Sequence, residues 1–142
     1  RSILRDAGSR LKARPDALVD KGVREGIAMS LMLELGNLKT EHAAVALFDS
    51  RGRLIAVERF PEGNPTSCEI PLRTLARFVI EHGASGALLA HNHPSGECSP
   101  SRQDERFTES ATKWLQGIDC TLIDHLVVTV DDWCSIKGGW KC

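Results

Sequence analysis

Two histidines, a serine and an aspartate fall within the stretch HNHPSGECSPSRQD, from His91 to Asp104. His91 and His93 are two apart, and in extended backbone positions i and i+2 point to one side, so both imidazoles can reach a single ion. Neutral imidazole nitrogens suit zinc, but a catalytic zinc takes three protein ligands and keeps its fourth position for water. A carboxylate is therefore needed nearby. Pro94 and Gly96 turn the chain after the histidines. With Ser99 as the cap of a helix and Pro100 in its first turn, Ser101 and Asp104 stand at i and i+3 on one face. That spacing brings Asp104 to the ion as third ligand and aims the Ser101 hydroxyl into the same pocket, as a donor to a developing oxyanion. The ordinary alternative is that H-x-H pairs arise by chance in loops and that Ser-Pro followed by Asp is a common helix start.

The full string resembles the JAMM metalloprotease motif, in which a distant Glu precedes H-[ST]-H-x7-S-x2-D. It matches at both histidines, at Ser101 and at Asp104, with Pro94 to Pro100 filling the gap. Asn92 departs from the Ser or Thr of many such proteins. With that Asn, the run His-Asn-His-Pro-Ser-Gly followed by Pro-Ser and Asp is similar to the bacterial RadC-like branch, a branch historically named for DNA repair. The segment LIDHLVV, Leu122 to Val128, resembles it too, and the likeness runs from about Leu38 to about Ile136. It implies an α/β (α+β mixed) fold: a single JAMM/MPN-like domain whose curved mixed β-sheet is flanked by helices, in a cytidine-deaminase-like architecture. It also implies one Zn2+ per chain on His91, His93 and Asp104, and a zinc metallopeptidase or isopeptidase acting on a protein or peptide amide.

Attack on an amide also needs a group that takes a proton from water and delivers it to the leaving nitrogen. Glu41, at the start of the first strand, and Glu58, at the end of its hairpin partner, both qualify, and periodicity does not choose between them. The resemblance favours Glu41, because the JAMM Glu lies just before the first apolar strand, as Glu41 does in TEHAAVALFD. Glu97 reads as a loop charge. On this reading Glu41 is the base and Ser101 supports the oxyanion.

The elements that must position these groups are legible as periodicities. From Asp16 the chain places Val23, Ile27, Leu31 and Leu35 at helical spacing, with Gly36 to end the helix. HAAVALFD and RLIAVERF flank the polar turn Asp49-Ser50-Arg51-Gly52 and read as an antiparallel hairpin. Ile70 to His82 sets Leu72, Leu75, Phe78 and Val79 on one face and closes at Gly83, a second helix. SGALLAHNH is the pattern of a buried strand that delivers side chains to one edge of a sheet. A third helix is expected from Ser99 to Gln116, then the strand CTLIDHLVVTV and a short one in WCSIK. Residues 16–142 form the expected domain, and 1–15, rich in Arg and Ser, an N-terminal arm or linker remnant.

Eighteen Lys and Arg against nineteen Asp and Glu leave no basic field for wrapping nucleic acid. Five cysteines at positions 68, 98, 120, 134 and 142 form no C-x-x-C pair, so free thiols in a reducing cytoplasm are the simpler reading. No apolar stretch is long enough for a membrane span. Cys98 reads as a bystander to the site, Asp124-His125 as a structural polar pair, and Trp133 and Trp140 as packing residues. His42 and His82 read as surface or boundary histidines. The alternative function is a DNA-repair or mobile-element accessory module that binds DNA or a repair partner and keeps the metal site as structure. Hydrolysis of a small non-peptide amide is a third reading.

Overall fold

The computed structural model describes residues 18–61 and 70–138. The expected arm at 1–15 and Trp140 lie outside them. Among the described residues, three helices and five strands follow in the order α1 (Lys21–Leu35), β1 (Ala43–Phe48), β2 (Leu54–Arg59), α2 (Leu72–His82), β3 (Gly86–Asn92), α3 (Arg102–Gln116), β4 (Thr121–Val128) and β5 (Trp133–Ser135). The sheet order is β2-β1-β3-β4-β5. Only β3 and β4 run parallel, joined across α3, while the other neighbours are antiparallel. This is the mixed α/β fold expected from the alternating periods.

β1, β3 and β4 are buried on both faces, which is why they read as unbroken apolar runs. One face carries α1 over Ala44, Ala46, Leu88, Ala90, Leu126 and Val128. The other carries α2 and α3 over Val45, Leu47, Leu89 and Leu122, where Phe60 meets Phe78 with ring centroids 5.5 Å apart. The hairpin turns on Asp49, whose Oδ1 accepts from the N–H groups of Arg51 and Arg53, and on Gly52 at φ 80°. A Cβ on Gly52 would stand 2.0 Å from the Leu18 carbonyl oxygen, so this position admits no side chain.

Two sequence expectations shift in detail. α1 begins at Lys21 behind Asp20, whose carboxylate accepts from the Gly22 N–H, and not at Asp16. Its buried stripe is Arg24, Ile27, Ala28, Leu31 and Leu35, leaving Val23 exposed. Steps of four residues overshoot a full turn by about 40° each, so a stripe that passes through Leu31 and Leu35 has rotated past Val23 and onto Arg24.

Candidate metal centre

The site is assembled at the C-terminal end of β3. β3 places Ala87, Leu89 and His91 on the face that carries α2 and α3, and His93 continues that alternation one step past the strand, its N–H donating to the Val128 carbonyl at 3.0 Å. α3 supplies the third group. Its cap is Ser101 and not Ser99: the Ser101 Oγ accepts from the Asp104 N–H at 3.0 Å, and the Asp104 carboxylate accepts from the Ser101 N–H at 2.9 Å. This reciprocal capping box, closed by the acid three residues after the cap, is open to Ser101 and unavailable to Ser99, which is followed at that spacing by Arg102. It also turns the Asp104 carboxylate back toward the histidines.

Three side chains converge. His91 Nε2 lies 3.1 Å from His93 Nε2 and 3.3 Å from Asp104 Oδ1, and His93 Nε2 lies 3.2 Å from Asp104 Oδ2. Among the described residues this is the one group of His, Cys, Asp or Glu side chains that could hold an ion. Donors on a tetrahedral zinc at about 2.0–2.2 Å stand roughly 3.3–3.5 Å from one another, so these separations are close to what the ion requires. The proton positions point the same way. His93 Nδ1 is 3.0 Å from the Glu97 carbonyl, which can only accept, so the ring proton of a neutral His93 sits on Nδ1 and Nε2 presents a lone pair. A carboxylate and an imidazole lone pair facing one another need a shared cation, whether a proton or a metal.

The electrostatics reflect that need. The hydrogen bond to Asp104 holds the His93 pKa above its ordinary 6.5, against the opposing effect of burial. Burial works to raise the pKa of Asp104, but His91 and His93 outweigh it and hold the carboxyl well below the usual range. Beneath His91 lies His125, 2% exposed, which burial keeps far below 6.5 and therefore neutral. Its Nε2 is 2.8 Å from His91 Nδ1, and its Nδ1 is 2.8 Å from Thr108 Oγ1.

Glu41 precedes β1 by two residues; β1 pairs Ala43 with His91, and the His42 carbonyl accepts from the Asn92 N–H at 3.2 Å, which sets Glu41 at the end of β1 that lies beside the C-terminal end of β3. Its charge contributes to raising the His93 pKa. Glu58 pairs instead with His82 on α2, at 2.8 Å, and lies opposite Val45, further along the sheet. Cys98 turns away from the cluster, its thiol donating to the Val127 carbonyl at 3.4 Å. Trp133 packs against the core under α1. His42 is half-buried and receives a hydrogen bond from Arg59 at 3.3 Å.

Two contributors were given no structural role by the sequence reading, although Asn92 had marked the family resemblance. Thr108 extends the buried α3 stripe of Ala111 and Leu115 toward Asp104, and a threonine on an otherwise apolar stripe was the available signal. Asn92, fully buried on the α1 face, accepts from the His42 N–H at 2.6 Å and donates to the carbonyls of Leu38 and Thr40 at 3.3 and 3.1 Å. It ties down the loop that carries Glu41.

The family model of the RadC-like JAB domain matches residues 24–140. The chain belongs to the RadC-like JAB domain family. Curated relatives include a UPF0758 protein of Burkholderia cenocepacia, 36% identical over 111 residues that make up 78% of this chain and 43% of the relative. A UPF0758 protein of Idiomarina loihiensis is 37% identical over 102 residues, 72% of this chain and 46% of the relative. One of Neisseria meningitidis is 28% identical over 144 aligned residues, 96% of this chain and 61% of the relative. The chain thus spans about half the length of the curated relatives it matches. Family and donor set together fit a metallohydrolase superfamily. Among the described residues, no helix is long and apolar enough to cross a membrane.

Proposed function

We propose that the chain is a zinc-dependent amide hydrolase, a metallopeptidase or isopeptidase whose substrate is a protein or peptide. The supporting observation is the convergence of His91, His93 and Asp104 at mutual distances of 3.1 to 3.3 Å, with Glu41 close enough for its charge to act on His93. Zinc held there supplies a Lewis acid that lowers the pKa of coordinated water to about 7 and polarises a carbonyl. His91, His93 and Asp104 would hold the ion. Glu41 accepts the proton that water gives up and returns it to the leaving nitrogen. The Ser101 Oγ accepts the helix-capping bond through a lone pair, which leaves its proton to be donated to an oxyanion.

Elemental analysis of the purified chain, beside His91→Ala and Asp104→Ala, tests the metal. The expected result is about one zinc per chain, lost in both variants. Glu41→Gln is expected to keep its zinc and lose turnover of peptide and isopeptide substrates. Loss of zinc in that variant would make Glu41 structural, and full turnover would move the base elsewhere.

A further inference from the structure

His125 enters the site through an irregularity in the sheet. β4 pairs Leu122 with Ala87 but Asp124 with Leu88, so Ile123 is an extra residue in the ladder. In an unbroken register Asp124 would share the face of Leu89 and His91, and His125 would turn toward α1. The extra residue reverses that alternation and puts His125 under His91.

From there, with both rings neutral, the hydrogen bonds admit one pattern of protons. Thr108 Oγ1 is 2.7 Å from the Asp104 carbonyl oxygen, which has no proton, so the hydroxyl proton of Thr108 is spent on that bond. Toward His125 Nδ1, at 2.8 Å, Thr108 can then only accept, and the ring carries its proton on Nδ1. A neutral His125 has a lone pair on Nε2, which accepts from His91 Nδ1–H at 2.8 Å. The remaining nitrogen of His91, Nε2, is left as a lone pair facing His93 and Asp104.

We propose that Thr108 and His125 are positioning residues that lock His91 in its Nδ1–H tautomer, so that Nε2 is presented ready to ligate. The relay begins on the backbone of one ligand residue, Asp104, and ends on the ring of another, coupling helix α3 to strand β3. It rests on the zinc reading above for its consequence but not for its geometry. Hydrogen-bond partners of this kind orient ligand rings, and losing one typically weakens metal binding ~10- to 100-fold.

Two measurements test it. The first is a long-range 1H–15N imidazole correlation spectrum of the metal-free chain. It is expected to show His91 and His125 both protonated at Nδ1, with His91 changing tautomer in Thr108→Val and returning in Thr108→Ser. A wild-type His91 protonated at Nε2 would overturn the relay, whatever metal the chain binds. The second is zinc competition against a chromophoric chelator, with a ~10- to 100-fold weaker affinity expected in Thr108→Val and recovery in Thr108→Ser. Equal affinity in all three would overturn the relay while leaving the zinc site standing; a wild-type chain that takes up no zinc would overturn the zinc reading and this role with it.

Discussion

His91 and Asn92 are adjacent, both buried, and point to opposite faces of β3, yet they end in opposite states. Asn92 has both its amide protons and its carbonyl engaged by the backbone of Leu38, Thr40 and His42. His91 has one nitrogen satisfied by His125 and the other aimed at an imidazole and a carboxylate 3.1 and 3.3 Å away. A buried polar group with every bond satisfied fastens the chain to itself. One with a lone pair left over is a place for something to bind. The two faces of one strand thus divide the labour: one holds the loop of Glu41, the other holds the ligand set.

The largest effect should come from breaking the fastener. Asn92→Ala leaves the His42 N–H and two loop carbonyls without their partner and should cost about 3 kcal/mol in urea unfolding. Because Asn92 faces away from the cluster, zinc affinity should change little, while any turnover that depends on Glu41 falls sharply. A zinc affinity as poor as that of Asp104→Ala would show that the two faces are not separable in this way.

Acidity sharpens the same contrast, since the Asn92 amide carries no titratable group and the ligand set does. In the metal-free chain the folded His93 pKa lies above 6.5, so its pairing with Asp104 stabilises fully below 6.5 and is lost as pH rises through the raised value. The Asp104 carboxyl is lowered, so its contribution is present above 3.8 and is lost as pH falls toward the folded value. Between those limits both contribute. The pair's contribution, read in metal-free protein as the melting temperature of wild type minus that of His93→Gln, should therefore be larger at pH 6 than at pH 8; His125, held below 6.5, works in the opposite direction in both chains and largely cancels. Zinc competes with the proton on His93, so its stabilising increment should grow over the same interval. Thermal melts at both pH values, with and without zinc, decide this, and a zinc increment that shrinks toward pH 8 would remove His93 from the ligand set.

Ser101 sits at the junction of structure and chemistry, and the two are separable. Ser101→Gly gives up the side-chain cap at a cost of a few tenths of a kcal/mol, since glycine is itself tolerated there. It also deletes the proposed oxyanion donor, so turnover should fall on the order of 10²-fold with the fold and zinc retained. An unchanged kcat would leave Ser101 as a helix cap alone.

How far these features could be read beforehand depended on whether they are periodic. The strands and helices followed from alternation and from stripes at three and four residues, while His91, His93 and Asp104 had a spacing that one extended segment and one helix start permit and that the JAMM resemblance singled out. Register was harder. Whether His125 or Asp124 faces the site is decided by the single extra residue at Ile123, which leaves no mark in the apolar run LIDHLVV. The helix start moved from Ser99 to Ser101 because reciprocal capping needs the acid at the third position, a test the sequence already offered. Thr108 was hidden because a threonine's partner lies in another element.

The smallest effect is predicted where sequence periodicity left the choice of base open. Glu58 and His82 form a pair at 2.8 Å, with side chains 35% and 31% exposed, near the α2 end of the face that also carries the ligands. The resemblance to His93 and Asp104 is superficial, because solvent reaches both groups and screens them, whereas His93 and Asp104 keep only 16% and 19% of their side chains exposed. Exposed pairs of this kind contribute under about 1 kcal/mol, so Glu58→Gln should shift urea unfolding by no more than that. Turnover should stay close to wild type, because Glu58 is held by α2 and lies opposite Val45, whereas Glu41 lies two residues before Ala43, the partner of His91, and its charge acts on His93. A collapse of turnover in Glu58→Gln, with Glu41→Gln unimpaired, would exchange the two glutamates and with them the side from which the proton is taken.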